Sequence, residues 1–405
     1  MPAIVDLPDE VFNNVLELSA HSLIFSMVSK ELPKKIAKSK VAKIRLTINI
    51  KVEMTANLLC NFCRLAEMFE VTVKDNLKYN DMLLCVDENV DLLKRTTFLG
   101  CIQRIAFCKI EKEMVMKLGT VLPKCSSLAC LDFCVNDIGI EGARRLAQKL
   151  GQCSLLAYLD LRGNNIGDEG VGSLAAVLPR LPSLAELHLS YNIIGHEGLA
   201  GFAAVLPACS SLARLNLGSN FIGDYGAGSL AAVLPQCQAL TYLDLHGNQI
   251  GAEGAAALGQ CPFLVHLDLC DNWIGDEGAG RLAEGLPKWR SLAHLDLCSN
   301  GIGDEGAGAL ATALPQCTSL AHLNLGGNRI SAEGAATLAW ALPQCPSLAH
   351  LDFECNSIDD EGAATLAEAL PHCPALAYLD LGENFISAEG VARLSTARAQ
   401  CRVVI

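Results

Sequence analysis

The sequence predicts a repetitive α/β fold, in which short parallel strands alternate with helices along an elongated solenoid behind a small helical segment. Three observations carry that prediction. Asparagines recur every 28 residues at Asn136, Asn164, Asn192, Asn220 and Asn248; Asn272 follows after 24, and the step of 28 resumes at Asn300, Asn328, Asn356 and Asn384. Each interval holds two hydrophobic periods, one of a strand and one of a helix. A chain of 405 residues exceeds what one compact core holds, and 51% hydrophobic content with only 5% aromatics and 34 glycines describes a core of small and aliphatic side chains renewed many times.

One unit, LAHLDLCSNGIGDEGAGALATALPQCTS (292–319), shows both periods. Leu295 and Leu297 alternate with His294, Asp296 and Cys298, as in a strand with one buried face. Asn300 turns the chain, its side chain able to bond backbone groups otherwise stranded beside the core. Asp304 reads as the N-cap of a helix in which Ala307, Leu310, Ala311 and Leu314 form an apolar stripe, and Pro315 stops it. Between Asn248 and Asn272 the stretch AAALGQCP stands in place of the longer pattern AGSLAAVLPQC. Four lost residues are about one turn of helix, which preserves the apolar face.

The 19 cysteines are an odd number, and nine of them (Cys125, Cys153, Cys209, Cys237, Cys261, Cys317, Cys345, Cys373 and Cys401) fall at one repeat position. They read as reduced, buried, small hydrophobes, with pairing between neighbouring repeats as the alternative. The net charge is -13; residues 1–50 carry seven Lys/Arg against five Asp/Glu, which leaves -15 for the remainder and argues against nucleic acid as a partner. No run reaches the length of a membrane span, and MPAIVDLPDE places acids where a signal peptide needs bases. The expectation is a cytoplasmic protein with no membrane partner, the nucleus also open to it.

The motif LxLxxN, present as LDLRGN (159–164), LHLSYN (187–192) and LDLGEN (379–384), resembles the leucine-rich repeat family, and specifically its ribonuclease-inhibitor-like class, over residues 125–405. The resemblance implies ten repeats stacked as a horseshoe, parallel strands inside and helices outside. Upstream, IAFCKI (105–110) looks like a decayed copy of the strand and FEVTV (69–73) like another, so residues 46–124 are expected to be irregular repeats capping the solenoid. At the far end CRVVI reads as a final unpaired strand.

Residues 1–45 break the pattern. LPDEV, then VLEL, then SLIFSMVSK resembles an F-box through Leu7, Pro8, Glu10, Val11, Val15, Leu16, Leu18, Leu23, Val28, Ser29 and Lys30, with Leu32 where that family has Trp. The resemblance implies docking to a Skp-type adaptor of a cullin ubiquitin ligase, with the repeats selecting a protein target. Read from pattern alone, the same helices serve equally as a cap on the first repeat. The basic run Lys34, Lys35, Lys38, Lys40, Lys43 and Arg45 reads as a solvated helix face, with contact to phosphate or an import receptor as the alternative.

Alternation sends the residues flanking the core leucines to the concave face, in columns. The first holds Tyr158, Glu186, Arg214, Tyr242, His266, His294, His322, His350 and Tyr378; the second holds His188, Asp268, Asp296 and Asp352 in a mostly acidic row. Cys270 and Cys298 follow in the third. Three readings stand: a metal site of these cysteines with His266 and His294, a pH-sensitive surface of crowded imidazoles, or a polar surface copied with the repeats. Ile193, Phe221, Trp273 and Phe385 follow their asparagines on the rim; Trp340 is expected on the convex side, and Trp289, at a repeat-cysteine position, in the core.

There is no GxxxxGK[ST] loop, GxSxG elbow or HExxH helix, and Cys60 with Cys63 is a lone CxxC. His188 with Asp160, or His294 with Asp296, has no nucleophile beside it, so the expectation is a non-catalytic binding protein without cofactor or resident metal. The repeats are also similar to those of Ran GTPase-activating proteins, and an inhibitor or scaffold binding through the concave face is a further alternative.

Overall fold

A computed structural model describes residues 122–259, 263–397 and 401–405, together with the backbone of three short strands further upstream. The chain divides into two compact units, residues 1–164 and 165–405. In the first, strands β1 (Met54–Thr55), β2 (Leu84–Val86), β3 (Arg104–Phe107), β4 (Cys130–Asp132) and β5 (Tyr158–Asp160) pair in parallel in chain order, and helix α1 (Gly139–Leu150) lies between the last two. The strand β3 falls at the start of IAFCKI. FEVTV, the basic run, Cys60, Cys63 and the F-box-like segment lie outside the described residues.

The second unit is a solenoid. Its strands are β6 (Glu186–His188), β7 (Arg214–Asn216), β8 (Tyr242–Asp244), β9 (His266–Asp268), β10 (His294–Asp296), β11 (His322–Asn324), β12 (His350–Asp352), β13 (Tyr378–Asp380) and β14 (Arg402–Val404). They form one parallel sheet in chain order. With them alternate helices α2 (Gly167–Ala175), α3 (His196–Ala203), α4 (Gly223–Val233), α5 (Ala252–Leu258), α6 (Gly275–Gly285), α7 (Asp304–Ala313), α8 (Ala332–Ala341), α9 (Asp360–Ala369) and α10 (Ala388–Thr396). The expected unpaired strand at CRVVI is corrected: β14 pairs with β13, Tyr378 opposite Arg402, because the backbone edge of β13 offers bonding groups that a following strand satisfies.

In the unit 292–319, Leu295 and Leu297 are buried on one face of the sheet, and Ala307, Leu310, Ala311 and Leu314 close the core from the helix side. Neighbouring helices pack on one another, α7 between α6 and α8. The α-helix ends at Ala313 and tightens into a 3-10 turn over Leu314–Gln316 that holds Pro315, which cannot continue the helical ladder. Cys317 follows at the turn's end, and its thiol donates to the Ala313 carbonyl. Burial pushes Cys317 up to about 11 and, with its neighbours Cys317 and Cys373, Cys345 up to about 12, so these thiols stay protonated and unreactive. The same position holds Cys125, Cys153, Cys237, Cys373 and Cys401 buried and Cys209 half-buried, all outside any disulfide; Cys261 lies outside the described residues.

The asparagines join one repeat to the next. Asn220 is buried, and its amide donates to the carbonyls of Leu217 (2.8 Å) and Gly218 (3.2 Å) in its own turn and of Leu189 (3.1 Å) one repeat back. Its oxygen accepts from the backbone N–H groups of Asn192 and Ile194, each at 3.0 Å. No apolar side chain of this size supplies both functions. Asn220→Ala strands the buried N–H groups of Asn192 and Ile194, while the carbonyls of Leu189, Leu217 and Gly218 each keep one donor, and should cost about 2–4 kcal/mol in urea-induced unfolding.

The N-cap role expected for Asp304 is corrected. Gly303 occupies the cap, Asp304 begins the helix, and its carboxylate reaches forward to the next repeat, accepting from Ser331 N–H (2.8 Å), Ser331 Oγ (2.6 Å) and Gly334 N–H (2.9 Å) at the start of α8. Asp276 does the same for Gly303 (2.7 Å) and Gly306 (2.8 Å) at the start of α7. Each carboxylate therefore covers the positive end of its neighbour's helix dipole. A Cβ on Gly306 would lie 2.7 Å from the Asp276 oxygen, whereas one on Gly308 would come no nearer than 3.8 Å to any neighbouring side chain. Gly306→Ala should therefore destabilise by about 2 kcal/mol through loss of the cap. Gly308→Ala should stabilise by up to about 1 kcal/mol through helix propensity, both read as shifts in thermal unfolding.

The short repeat confirms its predicted economy. Helix α5 has 7 residues where α4 has 11. Trp289, buried as expected, donates its indole N–H to the Gly259 carbonyl at the end of that shortened helix (2.8 Å). The same carbonyl would lie 2.1 Å from a Cβ on Gly285, so the large side chain and the missing one are two adjustments to one local shape.

Candidate protein-binding face

On the sheet face turned away from the helices, register converts the first column into a continuous ladder. Tyr242, His266, His294, His322, His350, Tyr378 and Arg402 stand opposite one another across successive strands. The Tyr242 and His266 rings stack at 4.2 Å, and His294, His322 and His350 stack at 4.1 Å per step. Looser joints separate these stacks, 5.4 Å from His266 to His294 and 5.7 Å from His350 to Tyr378. A guanidinium stands at each end: Arg214 lies 4.3 Å from the Tyr242 ring centre and Arg402 lies 6.0 Å from that of Tyr378. His266, His294, His322, His350 and Tyr378, with Asp296 and Asp352, line a trough of about 240 Å³.

Burial lowers the pKa of His266, His294 and His322 below the ordinary histidine value, and neighbouring imidazoles lower them further. At neutral pH the rings of His266, His294 and His322 are therefore uncharged, each offering one donor and one acceptor. Rings already held by their neighbours lose little conformational freedom when a partner docks on them. That is the physical basis for a binding surface here.

The acidic second column has a structural task that alternation alone does not reveal. Asp244, Asp268, Asp296, Asn324, Asp352 and Asp380 each accept, through one side-chain oxygen, the backbone N–H two residues on, at 2.8–3.1 Å. The side chain thereby ends the strand. The second oxygen is left for neighbours: Asp244 and Asp296 accept from Asn216 (2.7 Å) and Asn324 (2.9 Å), and Asp380 from the Tyr378 hydroxyl (2.8 Å). Burial, with the nearby Asp244 and Asp296, pushes Asp268 up to about 6 against the lowering effect of the Cys270 N–H. Asp352 is raised for the same first reason, burial.

His188 occupies this column in β6, with its ring 3.7 Å from Glu186, and Glu186 lies 3.9 Å from Arg214. In the first unit, Tyr158 donates to Asp160 (3.1 Å). The rim residues are exposed as expected: Ile193, Phe221, Trp273 (68%) and Phe385 (74%), each just past its asparagine. Trp340 is exposed at 78% on α8. The adaptor-contact residues Leu7, Pro8, Glu10, Val11, Val15, Leu16, Leu23 and Val28 lie outside the described residues.

In the third column Cys270 and Cys298, on neighbouring strands, are joined by a disulfide. Of the three readings of this face, a metal site joining these cysteines to His266 and His294 finds no such gathering of donors, because those rings belong to the ladder four residues earlier in each repeat. Among the described residues, the donor atoms that gather within 4.8 Å are those of Cys270, Cys298 and Asp296, and separately those of Asp244, His246 and Asp268. His246 is engaged by Asp244 (2.7 Å) and Ser219 (3.0 Å), and its pKa is raised by the Asp244 bond. Sequence columns did not reveal the end caps, although Arg214 stands in the first column; Arg402 joins it only once β14 pairs.

The histidine ladder makes a measurable prediction. His322 should titrate below 6.5 in an NMR pH series, and His350→Gln should raise its midpoint by removing a charge that competes with it. Because the folded value lies below the unfolded one, the stability that His322 contributes is present above 6.5 and declines as pH falls through that value.

The Asn-anchored strand, the outer helix and their recurrence define a class of protein-interaction scaffold. Residues 152–175, 180–203, 208–231, 236–259, 260–283, 290–311, 316–339 and 344–367 match the Leucine Rich repeat model, and this region is a leucine-rich repeat solenoid. Among solved structures the chain is similar to an internalin from Listeria monocytogenes, at 19% identity, over 77% of this chain and 88% of the internalin, with a TM-score of 0.41. No match is found among curated proteins.

Proposed function

We propose that this protein is a substrate receptor of a cullin ubiquitin ligase in the cytoplasm, with residues 1–45 recruiting a Skp-type adaptor and the solenoid capturing a protein target. The observation that carries this reading is the F-box-like run from Leu7 to Lys30 in front of leucine-rich repeats on one chain. Adaptor contact falls to Leu7, Pro8, Val11, Val15, Leu16, Leu23 and Val28 as the apolar set, with Glu10 on its rim. Target contact falls to the ring ladder from Tyr242 to Tyr378 and to the exposed aromatics Phe221 and Trp273 beside it, the residue types that anchor protein interfaces. The role is non-catalytic: the ladder positions a target, and transfer chemistry belongs to the ligase.

The test is capture of a purified Skp-type adaptor by the full chain, beside a Leu7→Ala, Pro8→Ala double variant. Capture that the variant loses by tenfold or more supports the receptor reading. Failure of the unaltered chain to bind the adaptor overturns it, and residues 1–45 then act as a cap on the repeats.

A further inference from the structure

The geometry points to a thiolate metal site on the open face: with the Cys270–Cys298 bridge reduced, Cys270, Cys298 and Asp296 bind a soft divalent cation of the zinc class. The disulfide is the closed, metal-free form of that site. This inference does not depend on the ligase reading, since it uses only the solenoid's own strands.

Register places the donors. In the second unit the third column runs Ser190, Gly218, His246, Cys270, Cys298, Gly326, Glu354 and Gly382, so among the described residues of that unit one strand pair alone, β9 with β10, sets two cysteines side by side. Their Cα atoms are 4.6 Å apart and both residues are half-buried, open to the face that carries the ladder. The repeat-position cysteines differ: those described lie at the helix ends, buried except for half-buried Cys209, and outside any disulfide. Two sulfurs bound tetrahedrally at ~2.3 Å lie about 3.8 Å apart, a separation that side chains on so close a Cα pair reach by rotation alone.

Asp296 is the third donor. Its carboxylate lies within 4.8 Å of both sulfurs and is already oriented, one oxygen accepting from Cys298 N–H (2.9 Å) and the other from Asn324 Nδ2 (2.9 Å). Each oxygen keeps a lone pair for a cation, and the two bonds supply the outer support that metal-ligating carboxylates need. Two thiolates and one carboxylate select zinc or a similar ion over magnesium and calcium, which prefer oxygen alone. Three protein donors leave a fourth position for solvent or for a donor from a docked partner.

The chemistry balances with small thiols as reductant. Two of them reduce the protein disulfide, their own disulfide forming as Cys270 and Cys298 become thiols; the cation then takes both thiolates, and two protons pass to solvent. Oxidation therefore excludes the metal, and bound metal protects the cysteines from oxidation.

The test uses the full chain, reduced and freed of reductant under argon, titrated with Co²⁺ and then Zn²⁺. The readout is the near-ultraviolet thiolate-to-cobalt band, taken as the difference between the unaltered chain and a Cys270→Ser, Cys298→Ser double variant. That difference should saturate at one Co²⁺ per chain, be bleached by Zn²⁺, and be absent from protein reoxidised with a small disulfide. Asp296→Asn should weaken Co²⁺ binding tenfold or more, while Cys317→Ser and Cys355→Ser leave it unchanged. Circular dichroism on every variant separates loss of the site from loss of fold. A reduced chain without the band, or a double variant that keeps all of it, overturns the site, whatever the outcome with the adaptor.

Discussion

The solenoid depends on the asparagine at each turn, buried in every repeat from Asn192 to Asn356. A strand of three residues cannot hold its neighbour by ladder bonds alone, and the turn beyond it leaves carbonyls and N–H groups inside the core. One amide side chain meets both needs, donating to its own turn and the previous one while accepting from the previous backbone. Because its bonds cross from one repeat to the next, the asparagine sets the stacking as well as the turn. The strict recurrence from Asn192 to Asn384 is thus a geometric requirement of parallel stacking within the second unit.

A second cross-repeat device works on the helix side. Asp168, Asp224, Asp276, Asp304 and Asp360 each serve the helix that follows in the next repeat, whereas α9 is capped by its own Asp359. The glycines facing these carboxylates are small because a Cβ would displace the bond. Stability in such an array is shared between neighbours, and damage at one repeat reaches those beside it.

On the open face the same register that builds the core lines up whatever the flanking positions carry. Copying the repeat therefore produced a stacked imidazole column without any further instruction. The departures from the copy distinguish its parts: guanidinium groups at its ends, paired cysteines beside Asp296, and Gly218, whose missing Cβ admits the His246 ring. Stacked rings beside a row of buried and half-buried carboxylates form a surface that is polar yet poorly solvated, where a partner's donors meet little competition from water.

Much was legible in the sequence because one repeat states both periods. Leu295 and Leu297 announce the strand, Ala307, Leu310, Ala311 and Leu314 the helix, and the four-residue deletion before Asn272 shortens a helix as a lost turn must. Flanking residues could be assigned to columns for the same reason. Contacts across repeats were not legible, since spacing says which residues share a face and not which atoms meet. Asp304 reads as a cap of its own helix and instead caps the next, while the acidic row reads as surface and proves to end the strands. Arg402 joins the ring ladder only because the free edge of β13 recruits the last strand, and Cys270 meets Cys298 only because β9 and β10 lie in register. Local periodicity determined the elements and their order; stacking, which sets distances between residues some 28 positions apart, decided the partners.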